Sequence, residues 1–139
     1  MKFGTKVIHS GLETDPATGA IITPIYQTST YVQKKPGDNL GFEYSRTANP
    51  TRSALEKSIA SIENGKFSIC YSSGMGAADS IIKLLNPGDT IISNKDLYGG
   101  TYRMFEQVFS NFGLNFKYTD IYNLPGMRPL VRSIATKFK

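Results

Sequence analysis

The chain has no tryptophan, one cysteine and one histidine among its 139 residues, and each shortage removes a class of chemistry. Cys70 alone cannot build a disulfide framework, and with His9 the only imidazole there is no zinc-type ligand spacing. Cys70 lies in the apolar run FSICY and reads as a buried strand thiol rather than a reactive one. No apolar run approaches the roughly 18 residues of a membrane span, and residues 1–10 lack the apolar stretch of a secretory signal. The expected location is the cytoplasm, with no membrane partner.

Acidic residues are missing after residue 120, where Arg128, Arg132, Lys137 and Lys139 carry four of the 16 basic side chains. The other 12 are balanced against all 11 acidic residues, so the net charge of +5 belongs to the tail. The body has no basic stripe of the kind that neutralises a run of phosphates, and no nucleic-acid partner is expected. What remains is ordinary globular material, 40% hydrophobic and 19% charged, enough for one domain with a core. No internal repeat or low-complexity segment appears.

Residues 1–50 contain PATGAIITP and KPG, two short β-type stretches within AIITPIYQTSTYV, and no sustained helical period. This predicts an extended arm packed on something larger. At Asn49 the pattern changes. Asn49 suits an N-cap and Pro50 the first helical position, while Leu55, Ile59 and Ile62 recur on one face before Gly65 offers a stop. A helix over about 51–64 is predicted, with Asn49 and Thr51 as capping residues.

KFSICY then reads as a buried strand and SSGMG as a turn. Ala77, Ile81, Leu84 and Leu85 form one face of a helix ending at NPGD. TIIS is a strand, Tyr102 to Phe109 a helix and NFKYT a further strand. Strands alternating with helices predict βαβ units, a parallel sheet and the α/β class.

Two loops carry candidate chemistry. In CYSSGMGAAD two serines and two glycines stand where a strand gives way to a helix, so free N–H groups and the positive end of the helix dipole make a possible phosphate site. The same turn also serves as a plain tight connection. G-M-G-A-A-D departs from the dinucleotide fingerprint at its last glycine, which makes an NAD site a poor match. In DLYGGTYR, Tyr98 stands on the same carboxyl edge of the predicted sheet. By itself Tyr98 reads as a packed loop tyrosine, yet an aromatic ring beside a phosphate cradle suits a planar phosphorylated cofactor.

Together with YSRTANPTR, these loops resemble one family. The ordered motifs FGTKVIHSG, PIYQTSTY, YSRTANPTR, SSGMGA, LNPGD and LYGGTYR look like the amino-terminal part of the Cys/Met-metabolism enzymes that use pyridoxal 5'-phosphate, the group of the cystathionine synthases and lyases. The resemblance runs nearly end to end and covers about the first third of the family pattern. It implies an extended arm, residues 1–50, contacting a neighbouring subunit, and over residues 51–139 the start of a fold-type I parallel-sheet domain.

By match, Tyr44 and Arg46 bind the cofactor phosphate of the neighbouring subunit, which implies a homo-oligomer of at least two chains. Gly74 and Met75 give backbone N–H groups to the subunit's own cofactor phosphate, with Ser73 beside them. Tyr98 stacks on the pyridine ring and serves in proton transfer. Arg103 either helps bind a substrate carboxylate or pairs with Glu106. Gly100 stands where methionine γ-lyases have a cysteine, which favours the cystathionine γ-synthase and γ-lyase branch.

The implied reaction is elimination or replacement at Cβ or Cγ of a sulfur amino acid or an activated homoserine. It needs a Schiff-base lysine and a carboxylate at the ring nitrogen, which in the family lie beyond residue 139. None of the eleven lysines stands in the matching context. The chain is therefore read as an incomplete enzyme, inactive alone, or alternatively as a non-catalytic chain that pairs with a full-length homologue.

Overall fold

A computed structural model describes residues 2–135. It contains, in chain order, helix α1 (Phe3–His9), helix α2 (Pro50–Ile62), helix α3 (Gly74–Ile82), strand β1 (Thr90–Asn94), helix α4 (Gly99–Gln107), a 3-10 turn (Phe109–Phe112), strand β2 (Asn115–Thr119) and helix α5 (Leu124–Ala135). The chain forms two compact units, residues 1–70 and 71–139.

In the first unit α2 is the organising element. Asn49 caps it as predicted, its Oδ1 accepting from the N–H of Thr51 and Arg52, with Pro50 in the first turn where a missing N–H costs nothing. The stop differs from expectation by one residue. Asn64 takes the left-handed conformation (φ 55°), and the Gly65 N–H reaches back to the Ala60 carbonyl at 2.8 Å, closing the helix in a Schellman arrangement.

The segment before α2 runs against it. Gly11 (φ 75°) approaches so closely that a Cβ there would lie 2.6 Å from the Lys57 backbone, and Lys57 pairs with Glu13 at 3.0 Å. The arm is not without helix: α1 packs on α2, with Lys6 Nζ donating to Asn64 Oδ1 at 2.6 Å. Seven residues with no side-chain cap and none buried cannot hold a helix by local propensity, so this contact is what sustains it and why no period announced it.

The two β-type stretches of the arm contribute only to one isolated bridge, Thr30 to Tyr44, and a second isolated bridge, Lys35 to Asp38, follows them. Asp15 instead closes a tight turn, accepting from the Thr18 N–H (3.0 Å) and hydroxyl (2.6 Å). The Thr18 hydroxyl holds the Asp15 carboxyl below its ordinary value.

The second unit holds a βαβ unit. β1 and β2 are parallel, in register from Thr90 opposite Asn115 to Asn94 opposite Thr119, and α4 makes the crossover that parallel strands require. Its core is Ile82, Phe105, Phe109 and Leu114, with the rings of Phe105 and Phe116 stacked at 4.6 Å. Both strands fall where TIIS and NFKYT place them, and the α/β class is the one observed.

Three expectations are corrected here. KFSICY forms no strand and has no strand partner among the described residues, and Phe67 and Ile69 are exposed. A strand exists only through its ladder, so an apolar run without a neighbour stays coil. Cys70 is consequently half-buried on an unpaired segment rather than sealed in a sheet.

The apolar face assigned to the third helix is also rotated. α3 ends at Ile82, and it is Ile82 that is buried, while Ile81, Leu84 and Leu85 are exposed. Adjacent isoleucines leave the face ambiguous; packing against Phe109 and Leu114 selects Ile82. Finally, α4 begins at Gly99 and ends at Gln107, earlier than the predicted 102–109, because Gly99 and Gly100 enter its first turn.

Candidate functional site

The sequence YSRTANP becomes a tight turn gripped from several sides. The N–H groups of Thr47 and Ala48 and the Thr47 hydroxyl all donate to the Tyr44 carbonyl, at 3.0, 3.0 and 2.8 Å. Ser45 points to the body of the unit: its hydroxyl donates to the Thr28 carbonyl and lies 3.2 Å from the Tyr31 hydroxyl. The Asn49 amide donates to Ser45 Oγ (3.0 Å), the Tyr26 carbonyl (3.0 Å) and the Tyr31 hydroxyl (3.3 Å).

With the turn held inward by Ser45, the side chains of Tyr44 and Arg46 come together on the outside. The guanidinium lies 5.3 Å from the Tyr44 ring centroid, and Nη2 donates to the Tyr44 hydroxyl at 3.2 Å. Among the described residues no carboxylate pairs with Arg46. The result is an exposed cationic fork with a phenol beside it, suited to an anion and particularly to phosphate.

Thr51 does not cap α2. Its hydroxyl accepts from the Tyr26 N–H (2.9 Å) and donates to the Pro24 carbonyl (3.0 Å), tying the arm to the helix start.

The second unit carries the other predicted group. Ser73 is the N-cap of α3, its hydroxyl accepting from the Gly76 N–H at 3.0 Å. The N–H groups of Gly74 and Met75 have no acceptor among the described residues, as expected in a first helical turn. A Cβ at Gly74 would meet nothing within 4 Å, so the approach to these donors is open.

Tyr98 stands at the N-terminus of α4, exposed over 73% of its surface. Its ring folds over Gly100, where a Cβ would lie 2.5 Å from Cε1. Thr101, one residue on, donates its hydroxyl to Met75 Sδ at 3.8 Å, bringing the first turns of α4 and α3 together. The structure thus groups Ser73, Gly74, Met75 and Tyr98 in one unit, and Tyr44 with Arg46 in the other.

Of the two partners open to Arg103, Glu106 is occupied elsewhere. The Tyr118 hydroxyl donates to Glu106 Oε1 at 2.7 Å, and burial, reinforced by this bond, pushes the Tyr118 phenol above its ordinary value. Arg103 is exposed, and no ion pair joins it to Glu106 among the described residues.

Sequence reasoning missed two structural supports. Lys95, three residues before Tyr98, extends the ladder through its N–H to the Thr119 carbonyl (2.9 Å), and its ammonium pairs with Asp120 at 3.1 Å. Arg52 donates to the carbonyls of the Ser45–Thr47 turn. A signal existed for Arg52: a loop of small polar residues leaves carbonyls without partners, and Arg52, with its several donors, lies in the first helical turn that follows.

Comparison with known proteins follows the same lines. Residues 4–138 match the model of the Cys/Met metabolism PLP-dependent enzymes. A probable cystathionine gamma-synthase of Herpetosiphon aurantiacus is 44% identical over 130 residues, 94% of this chain and 41% of that protein. A cystathionine beta-lyase of Coxiella burnetii is 50% identical over 117 residues, 84% of this chain and 30% of that protein. Among solved structures, the cystathionine gamma-lyase of Lactobacillus plantarum complexed with L-serine superposes with a TM-score of 0.78 at 45% identity, over 86% of this chain and 31% of that one. The chain thus spans 30% to 41% of the length of these relatives, and it belongs to the Cys/Met metabolism PLP-dependent enzyme family.

Proposed function

We propose that these residues form the phosphate-binding, amino-terminal part of an enzyme that performs elimination or replacement at Cβ or Cγ of a sulfur amino acid or an activated homoserine. The observation that carries the reading is the first turn of α3, where two N–H donors without acceptors face an open approach at Gly74. That arrangement fits a phosphate monoester by hydrogen bonding and by the helix dipole together. Bound there, pyridoxal phosphate supplies an electron sink for the substrate's Cα electrons.

The chain's own residues take the remaining roles. Gly74 and Met75 donate backbone N–H groups to the phosphate, and the Ser73 hydroxyl borders the same oxygens. Tyr98 offers a ring face to the pyridine and a hydroxyl able to hold or move a proton at the substrate. Arg46 and Tyr44 bind the phosphate of a neighbouring subunit, with residues 1–50 as the arm that reaches it. Arg103 remains available to a substrate carboxylate.

Titration of the chain with pyridoxal phosphate tests the reading. Arg46→Ala is expected to weaken binding about tenfold or more, the effect of removing a charge-assisted bond. Unchanged affinity would remove Arg46 from the phosphate site. The alternative, a non-catalytic chain that pairs with a full-length homologue, draws support from the exposed Ile21, Ile22, Ile25, Val32 and Leu40 of the arm. Co-purification with a longer homologue supports it, and isolation only as a homo-oligomer removes it.

A further inference from the structure

Arg52 lies in the first turn of α2, its side chain 33% exposed, and its guanidinium addresses three successive carbonyls. Nη1 donates to Ser45 O at 3.0 Å, and Nη2 donates to Thr47 O at 2.8 Å and, at the limit of bonding, to Arg46 O at 3.5 Å. The third nitrogen, Nε, lies 3.8 Å from Glu56 Oε1, one turn along the helix. That same carboxylate oxygen accepts the Cys70 N–H at 2.9 Å, so Glu56 is itself fixed from a second direction.

From these contacts we infer that Arg52 is the positioning residue for the Tyr44 and Arg46 pair, acting through the backbone between them and not through the ligand. Its meaning for phosphate binding rests on the reading proposed above. The Thr30 to Tyr44 bridge anchors only the start of the turn, and the carbonyls of Ser45, Arg46 and Thr47 would otherwise seek water. A planar fork satisfies them together from one side, which leaves the side chains of residues 44 and 46 on the other.

Glu56 completes the device. Arg46 in the loop and Arg52 in the first turn of α2 are both cations, and the Glu56 carboxylate offsets the charge of Arg52 while leaving that of Arg46 uncompensated. A lysine in place of Arg52 keeps the charge but cannot span separated carbonyls with a planar set of donors.

Amide hydrogen exchange on the full chain, read residue by residue, tests the inference. In Arg52→Leu the amides of Thr47 and Ala48, both bonded to Tyr44 O, are expected to exchange about tenfold faster or more, while Ile59 and Ala60 in α2 keep their protection. Arg52→Lys should fall between, and it decides the matter if the leucine variant loses protection throughout α2. Unchanged exchange at Thr47 and Ala48 in the folded variants overturns the inference.

A second readout separates positioning from general support. The affinity for pyridoxal phosphate should fall in Arg52→Leu, yet adding Arg52→Leu to the double variant Tyr44→Phe with Arg46→Ala should weaken binding no further. A further loss in the triple variant overturns the inference, because Arg52 would then act independently of the pair. If Arg46→Ala itself leaves affinity unchanged, the phosphate reading fails, while faster exchange at Thr47 and Ala48 still establishes what Arg52 holds.

Discussion

Asn49 shows how much one side chain can organise. Its Oδ1 caps α2, and its amide nitrogen serves three acceptors on the arm and the Tyr44 turn. Asn49→Ala should cost about 1 kcal/mol for the cap and a similar further amount for the acceptors left behind. Asn49→Asp keeps the cap and loses only the donors, so urea midpoints of the two variants apportion the roles; equal midpoints would mean the amide contributes nothing. Only the cap was legible in the sequence, because Asn-Pro before an apolar period is a local signal. Its amide bonds reach back 18 and 23 residues, and no spacing rule foretells them.

Gly100 makes a similar point. The sequence shows two glycines after Tyr98, while the structure shows that the second is the seat of the Tyr98 ring. Gly100→Ala is expected to push the ring off the helix start, read as a shift of the Tyr98 ring resonances with the α4 amides unchanged. Unshifted ring resonances would show that the ring does not rest there. A cysteine at this place would displace the ring in the same way.

At the scale of elements, β1 and β2 were legible because each is a short run of β-formers bounded by turn residues, and each found its ladder in the other. The run around Ile69 has the same composition and no ladder, so composition alone could not decide its state. The end of the ladder is clamped by Lys95 and Asp120, and the Lys95 bond, followed by the Tyr122 N–H, holds the Asp120 carboxyl below its ordinary value. A carboxylate whose folded pKa is depressed stabilises the fold above its unfolded pKa, and that contribution is lost as pH falls through the folded value. Asp120→Asn should therefore shrink the drop in urea midpoint between about pH 6 and about pH 3. An undiminished drop would assign the acid sensitivity elsewhere, with Asp15 the next candidate.

For the molecule as a whole, the proposal that Tyr44 and Arg46 serve the phosphate bound at the first turn of α3 in a neighbouring subunit makes a sharp prediction. Arg46→Ala removes one half and Gly74→Val crowds the other, so each variant alone should bind pyridoxal phosphate poorly. Mixed in equal amounts under conditions of free subunit exchange, they should regain about a quarter of the parental sites, because half of the dimers are then mixed and each contains one site with neither change. No regain on mixing would show that both halves serve the same site from the same chain. The exposed apolar residues of the arm, Ile21, Ile22 and Ile25 at 77% each, are the surface such an assembly would cover.

By itself the sequence determined what depends on near neighbours: the cap and start of α2, the turn before α3, the two strand segments and the ordered motifs that mark the family. Tertiary structure decided what depends on distant ones. It chose Ile82 over Ile81 for the core, left the FSICY run without a ladder, made a helix of Phe3–His9 against α2, and turned Arg52 toward the Tyr44 loop. Local signals lie in backbone preferences and capping that act within a turn or two. Which face is buried, and which carbonyl finds which donor, follows only when segments far apart in the chain come into contact.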